Sequence, residues 1–227
     1  MSSKKLINGY PFIAYKKEVC TINEMIDKSA IFYNYMDTRR SCRDFSKKAV
    51  PLEVIENIIR AASTAPSGAH KQPWMFCVVS SQTIKSQIKI EAEKEEFESY
   101  HSRMPEEWKK DLLPLQTDWR KEFLETAPYL IVVFKKSYDF DENGNKTNTY
   151  YANESCGLAC GFLLAAIHNA GLVALTHTPS PMNFLSKVLN RPANEKPFLL
   201  IPVGYAAEEC WVPDIKRKSL SEVSTWM

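Results

Sequence analysis

Between residues 51 and 65, Val54, Ile55, Ile58, Ile59 and Ala62 recur at helical spacing behind Pro51. Proline is tolerated there because the first turn of a helix leaves its N–H groups unused. A second helix is expected over 23–36, where Met25, Ile26, Ala30, Ile31, Tyr33 and Tyr35 supply apolar surface. Residues 82–104 read as a long charged helix that buries Ile84, Ile88 and Ile90 early and carries many glutamates later. Residues 151–170 are small or apolar on every face, which predicts a buried central helix that Gly171 stops. A short helix follows over 183–189. The run 74–80 is short and almost continuously apolar, as expected of a strand covered on both faces, and 129–134, 172–178 and 198–205 are further strands.

Four stretches lack a period. Residues 1–20 mix polar and aromatic side chains and read as an extended arm laid over a partner subunit. Residues 105–122 hold Pro105, Trp108, Pro114 and Trp119 among many charges, the pattern of a partly ordered lid or of a badly patterned helix. Residues 138–149 contain Asp-Glu-Asn-Gly-Asn and read as a surface turn. Residues 219–227 form a tail. With no internal repeat and no low-complexity linker, the chain is expected to be one α+β domain spanning 1–227, with four or five strands flanked by helices.

Composition narrows the function. A net charge of +2 over 227 residues gives no reason to expect a nucleic-acid or membrane partner. No apolar run is long enough to span a bilayer and the N-terminus lacks a signal-peptide pattern, so a soluble, cytoplasmic protein is expected. The six cysteines follow no small-scaffold spacing and are expected to be free, buried thiols. Cys156 and Cys160, four apart on a helix, have no matching Cys or His pair elsewhere, so core packing is the expectation and no metal is assigned.

The stretch 39–74 is the chemically distinctive one. It begins Arg39-Arg40-Ser41-Cys42-Arg43 and ends Ala65-Pro66-Ser67-Gly68-Ala69-His70-Lys71-Gln72-Pro73-Trp74. Arg39, Arg40 and Arg43, with Arg217 and Lys218 near the C-terminus, can converge on a phosphate dianion, for which the guanidinium fork is suited. The same residues also read as a solvated basic patch. Only seven glycines occur and no glycine-rich phosphate loop is present, so a bound phosphate has to rely on side-chain cations.

Arg-Arg-Ser-x-Arg, Ala-Pro-Ser-Gly-Ala-His-x-x-Pro-Trp and Lys-Arg-Lys near the C-terminus resemble the FMN-dependent nitroreductase superfamily and, within it, the iodotyrosine deiodinases. The likeness covers about 36–218. It implies a nitroreductase-like α+β fold, a central mixed sheet flanked by helices, in an intertwined homodimer with FMN at the subunit interface. Carried over residue by residue, the flavin contacts fall on Arg39, Arg40, Ser41, Cys42 and Arg43, with Arg217 completing the phosphate and ribityl grip. Ser67 and Gly68 match a second flavin segment, reaching the cofactor of the other protomer, and Thr176, His177 and Thr178 match a third. The resemblance implies a hydrogen bond from the Thr178 hydroxyl to flavin N5, and one from the Ala69 N–H to a substrate phenolate. His177 is carried over with Thr176 and Thr178 as a cofactor-binding residue, its particular contact left open.

The family's zwitterion-binding residues fall on Glu96, Tyr100 and Lys121. Glu96 and Tyr100 are one helical turn apart and so share a face. Glu96 would pair the substrate ammonium and Lys121 its carboxylate, within a lid over 95–121 that substrate orders. Glu98 is an alternative carboxylate on an ordinary charged helix. The expected reaction is reductive dehalogenation of iodo-, bromo- or chlorotyrosine, with electrons from NAD(P)H or a separate reductase. The rival readings are a general NAD(P)H-dependent nitroreductase or quinone reductase, and an FMN-binding protein without turnover.

Overall fold

In the computed structural model, which describes residues 4–227, backbone contacts group into two units, Met1–Thr38 and Arg39–Met227.

The first unit opens with two antiparallel strands, β1 (Lys4–Ile7) and β2 (Tyr10–Ile13), in register Lys4↔Ile13 to Ile7↔Tyr10. Asn8 and Gly9 join them with φ of 50° and 83°, the positive pair that a two-residue hairpin turn requires. Within the segment expected to be an extended arm, residues 4–13 thus form a hairpin. Helix α1 (Ile22–Asp37) follows, capped by Thr21 and Glu24, which exchange backbone hydrogen bonds in a capping box. None of its residues is buried, although Ile22, Ile31, Phe32 and Tyr33 are large and apolar.

The second unit is built on a four-stranded sheet of order β3-β4-β8-β7, with β3 Trp74–Val79, β4 Tyr129–Lys136, β7 Val173–Ala174 and β8 Glu195–Gly204. Neighbouring strands pair antiparallel, and a parallel bridge from Ser41 to Ala174 at the β7 edge makes the sheet mixed. Side-chain alternation along β4 explains its unbroken apolar run. Leu130, Val132 and Phe134 enter one core with α3 (Gln82–Glu98), α5 (Phe123–Thr126) and α7 (Asn183–Val188). Ile131 and Val133 enter another with α2 (Leu52–Ser63) and α6 (Ala152–Asn169). Both faces are thus covered along Leu130–Phe134, which is why this run is apolar without a break.

Several expectations change in detail. The strand expected over 172–178 pairs regularly at only two residues, then touches β8 again through a bridge between His177 and Leu200. The charged helix stops being α-helical at Glu98 and ends in a wide π turn, Ser99–Arg103. The segment after it holds a real helix, α4 (Glu106–Leu112), whose two-turn length is too short to reveal a period. The surface turn of 138–149 is flanked by paired strands β5 (Tyr138–Phe140) and β6 (Lys146–Asn148). In the tail, Ser219 and Glu222 cap a short helix, α8 (Leu220–Val223). Helix α6 buries Cys156, Ala159, Cys160, Leu163 and Ile167, but Gly157, Leu158, Gly161 and Phe162 lie exposed on its other side. The expectation of burial on every face is therefore half met within this chain. Cys156 donates its thiol to the Pro73 carbonyl at 3.3 Å, a core contact. Among the described residues, no helix is long and apolar enough to cross a membrane.

Candidate functional site

The arginine segment runs along the β7 edge, where the Cys42 N–H donates to the Ala174 carbonyl at 3.2 Å. Extended backbone turns alternate side chains to opposite sides. Ser41 and Arg43 face outward, and Cys42 points into the protein, buried, with its thiol pushed up to about 11 by desolvation. The C-terminal segment lies beside this strand. Ala207 N–H donates to Asp44 O at 2.9 Å, the Arg40 guanidinium to Pro213 O, and Arg217 Nη2 to Arg39 O at 2.9 Å. Together they enclose a cavity of about 400 Å³ lined by Arg39, Arg40, Ser41, Arg43, Thr176, Lys216 and Arg217, with Leu175 and Ile215 as apolar wall. Cys42 does not line it, and Lys216 stands where Lys218 was expected.

A second cavity, of about 150 Å³, brings together Glu96, Tyr100 and Lys121 with Arg43, Thr176, His177 and Thr178. Its position follows from how α3 is tied to α5. The buried Lys85 ammonium caps α5 by donating to Glu125 O at 3.1 Å and Ala127 O at 2.8 Å, and Lys89 pairs with Glu122 and Glu125. The Lys121 N–H donates to Glu93 Oε1 at 2.7 Å, fixing Lys121 against α3 just before α5 begins. Lys121 Nζ then lies 3.5 Å from Glu96 Oε2 and 5.5 Å from the Tyr100 ring centre. Burial raises the Glu96 pKa, with Lys121 opposing the shift, and burial lowers that of Lys121, with Glu96 opposing. Tyr100 donates its hydroxyl to Thr117 O at 3.2 Å, and its pKa is raised by burial and then by the Glu96 charge. Glu98 is exposed, so the carboxylate in this pocket is Glu96.

Ser67, Gly68 and Ala69 line neither of these cavities. They form a tight turn after α2, in which Ala69, His70 and Gln72 all have positive φ, 48°, 54° and 47°. Non-glycine residues pay for such backbone, and clusters of it accompany functional turns. The Ser67 hydroxyl stabilises the turn by accepting from the Gln72 N–H at 2.9 Å. At Gly68 a Cβ would stand 3.0 Å from both Tyr150 O and Tyr151 Cδ2, so a side chain there would crowd the residues that open α6.

The Nitroreductase family model matches residues 36–205. The chain belongs to the nitroreductase family. Over 212 residues it is 63% identical to the iodotyrosine deiodinase of Haliscomenobacter hydrossis, covering 93% of this chain and 96% of that one. It is 48% identical over 201 residues to human iodotyrosine deiodinase 1, covering 88% of this chain and 70% of the human one. A crystal structure of oxidized iodotyrosine deiodinase bound to FMN and 3-iodo-L-tyrosine superposes with a TM-score of 0.74 at 31% identity, covering 83% of this chain and 96% of that chain. This nitroreductase-family chain is thus similar to iodotyrosine deiodinases over most of its length.

The structure adds residues to this nitroreductase-family site that spacing alone did not indicate. Thr117 bonds Tyr100 through its carbonyl and stands 3.4 Å from Lys121 Nζ through its hydroxyl. Trp108 and Leu112 of α4 also line the second cavity, as does Met104. The Trp108 indole in a run of charges was the available signal. Thr117 gave none, because its place depends on the chain reversing at Gln116, φ 46°.

Proposed function

We propose that this chain is an FMN-dependent reductive dehalogenase that converts halotyrosines, 3-iodotyrosine first among them, to tyrosine and halide. The observation that carries the reading is a buried carboxylate–ammonium pair, Glu96 and Lys121, held beside Tyr100 in a cavity contiguous with a strongly cationic one. A free amino acid carries one ammonium and one carboxylate, and the pair offers one partner of each sign.

The residues present fit FMN. Five cations around one cavity, Arg39, Arg40, Arg43, Lys216 and Arg217, suit a phosphate dianion, and Leu175, Val212 and Ile215 give an apolar wall. When bound and reduced, FMN supplies the two electrons needed to replace carbon–halogen by carbon–hydrogen. One proton is consumed, and halide leaves. The protein's own part is positioning. Glu96 accepts hydrogen bonds from the substrate ammonium, Lys121 pairs its carboxylate, and Tyr100 covers the chain between them. Thr176 lines both cavities and Thr178 the smaller one, and the Thr178 hydroxyl would be the group that hydrogen-bonds flavin N5. The Ala69 N–H, aimed by the strained turn, donates to the phenolate and favours the anion. The segment 95–121 acts as a lid that excludes water once substrate is bound.

The functional unit in this reading is a homodimer of single nitroreductase-like domains with FMN between protomers. Three features support it: an apolar α1 with no buried residue, an exposed α6 face bearing Gly157, Leu158, Gly161 and Phe162, and a Ser67–Gly68–Ala69 turn that lines neither cavity of its own chain. NAD(P)H or a separate reductase supplies the electrons.

The test is anaerobic addition of 3-iodotyrosine to the chemically reduced, FMN-loaded protein. Stoichiometric flavin reoxidation with release of tyrosine and iodide is expected. Flavin that stays reduced with halotyrosine but is oxidised rapidly by a nitroaromatic would identify a general nitroreductase instead.

A further inference from the structure

One wall of the cationic cavity carries Val212, Pro213, Ile215, Lys216 and Arg217. It belongs to a segment with no helix or strand, and no residue from 206 to 219 is buried. Polar ties hold that segment to the arginine strand instead. Phe45 bridges Ala206 antiparallel, the Ser46 N–H donates to Tyr205 O at 2.9 Å, and the Trp211 N–H donates to Asp44 Oδ2 at 3.4 Å. A segment anchored by surface hydrogen bonds and by no buried side chain opens at low cost. Running antiparallel, the two stretches bring Cys42 and Cys210 together, and a hydrogen bond joins their thiols. Burial pushes the Cys42 thiol up to about 11, aided by the charge of Cys210 and by that hydrogen bond. Cys42 is buried and Cys210 half-buried, so Cys210 is the thiol that an oxidant from solvent meets first. Neither lines the cavity or takes part in the proposed chemistry.

We propose that Cys42 and Cys210 form a reversible disulfide that fastens the C-terminal segment to the arginine strand and so latches the cationic cavity. The bond joins the cavity's two walls, since Ser41 and Arg43 flank Cys42 on one and Val212 follows Cys210 on the other. The oxidant is a peroxide, and hydrogen peroxide is what dioxygen becomes when it oxidises a reduced flavin. Peroxide takes an electron pair from the Cys210 sulfur, its O–O bond breaks, and a sulfenic acid and one water result. The Cys42 sulfur then attacks the oxidised sulfur. The S–S bond forms, and hydroxide leaves with the Cys42 proton as a second water. Cys42 needs no access to solvent, because its partner is oxidised beside it. A dithiol reverses the reaction by exchange. The bond itself is independent of the halotyrosine reading, and only its effect on the cofactor rests on the FMN one.

In the experiment, FMN-loaded protein is treated with hydrogen peroxide, alkylated, and digested without reduction. Mass spectrometry should find the peptide containing Cys42 joined to the one containing Cys210, about 2 Da below the sum of the two, and dithiothreitol should separate them. Timed ultrafiltration after dilution should show FMN leaving the oxidised protein more slowly than the reduced one. The expected factor is roughly tenfold or more, below the full effect of a cross-link that closes a long loop. Cys210→Ser should release FMN as wild type does under dithiothreitol, and peroxide should not change that rate. The wild-type digest gives an answer that needs no variant to fold. Cysteines that stay separate, or that pair with other cysteines, overturn the proposal, and so does a mapped bond that leaves FMN release unchanged. Protein that takes up no FMN in either state would remove the cofactor reading, and the latch with it, while the mapped bond would stand.

Discussion

Lys121 Nζ lies 3.5 Å from Glu96 Oε2, and the two side chains keep 5% and 14% of their surface exposed. Two buried charges of opposite sign hold each other, and a zwitterion entering between them exchanges one ion pair for two. Removing either partner leaves the other buried and uncompensated. Glu96→Gln should weaken 3-iodotyrosine binding by roughly thirtyfold or more, the scale of a lost desolvated charge contact. Iodophenol, which has neither ammonium nor carboxylate, should bind the variant about as it binds wild type. Fluorescence titration of both ligands checks this, and parallel losses would remove the assigned role.

The same pair sets a pH dependence. Burial raises the Glu96 pKa, so the unfolded chain releases this proton at lower pH than the folded one does. As pH rises from the unfolded carboxylate pKa through the raised folded one, wild type loses stability relative to Glu96→Gln, and above that window the difference is constant. For Lys121 the folded pKa is lowered, so on the alkaline side the folded state releases its proton first, and stability rises between that value and the usual lysine pKa. Urea denaturation of wild type and Glu96→Gln across the acidic range checks the first sign. A stability difference that grows in favour of wild type as pH rises would contradict it.

Arg217 donates to the Arg39 carbonyl at 2.9 Å and lines the cationic cavity with Arg39, Arg40 and Arg43. If these residues grip a phosphate, Arg217→Ala should reduce FMN affinity by about ten- to a hundredfold, in line with a charge-assisted hydrogen bond. Riboflavin, which lacks the phosphate, should lose much less. Ultrafiltration binding of both flavins separates a phosphate contact from a general loosening of the C-terminal segment, which would affect them alike.

On α6, Phe162 is 44% exposed and Leu158 48%, beside two glycines that let another backbone approach. Phe162→Glu places a charge on that face without touching the core side of the helix. If this face joins two protomers across a shared cofactor, as proposed, sedimentation analysis should show the variant shifted toward monomer, with FMN retained poorly. A variant that remains dimeric and fully yellow would show that this face is not the interface.

Sheet strands and α2 were legible because both faces of a covered sheet demand apolar residues, and one face of a surface helix does so every third or fourth position. The N-terminal hairpin was legible only locally. Asn8-Gly9 is a strong turn pair, yet its four-residue strands are too short to establish alternation. Helix α6 shows a different limit, since apolar periodicity records that a face is covered and not by which chain. In the site, Arg39–Arg43 and the Glu96, Tyr100 and Lys121 set were reached through the family resemblance, since only Glu96 of these lies on a regular helix. Lys216 and Thr117 could not be reached that way, since their positions depend on the paths of irregular segments through Pro213 and Gln116. His177 was visible as a residue but not as a contact. Its burial comes from the single bridge to Leu200, which no local pattern encodes.

Arg43, Leu175 and Thr176 line both cavities. Ligands in the two cavities would therefore press on the same three side chains, through which their binding free energies can be coupled. By reciprocity, whatever factor the cofactor contributes to amino-acid affinity, the amino acid returns to cofactor retention. A shared wall of three side chains thus gives cofactor retention a physical route by which to respond to substrate.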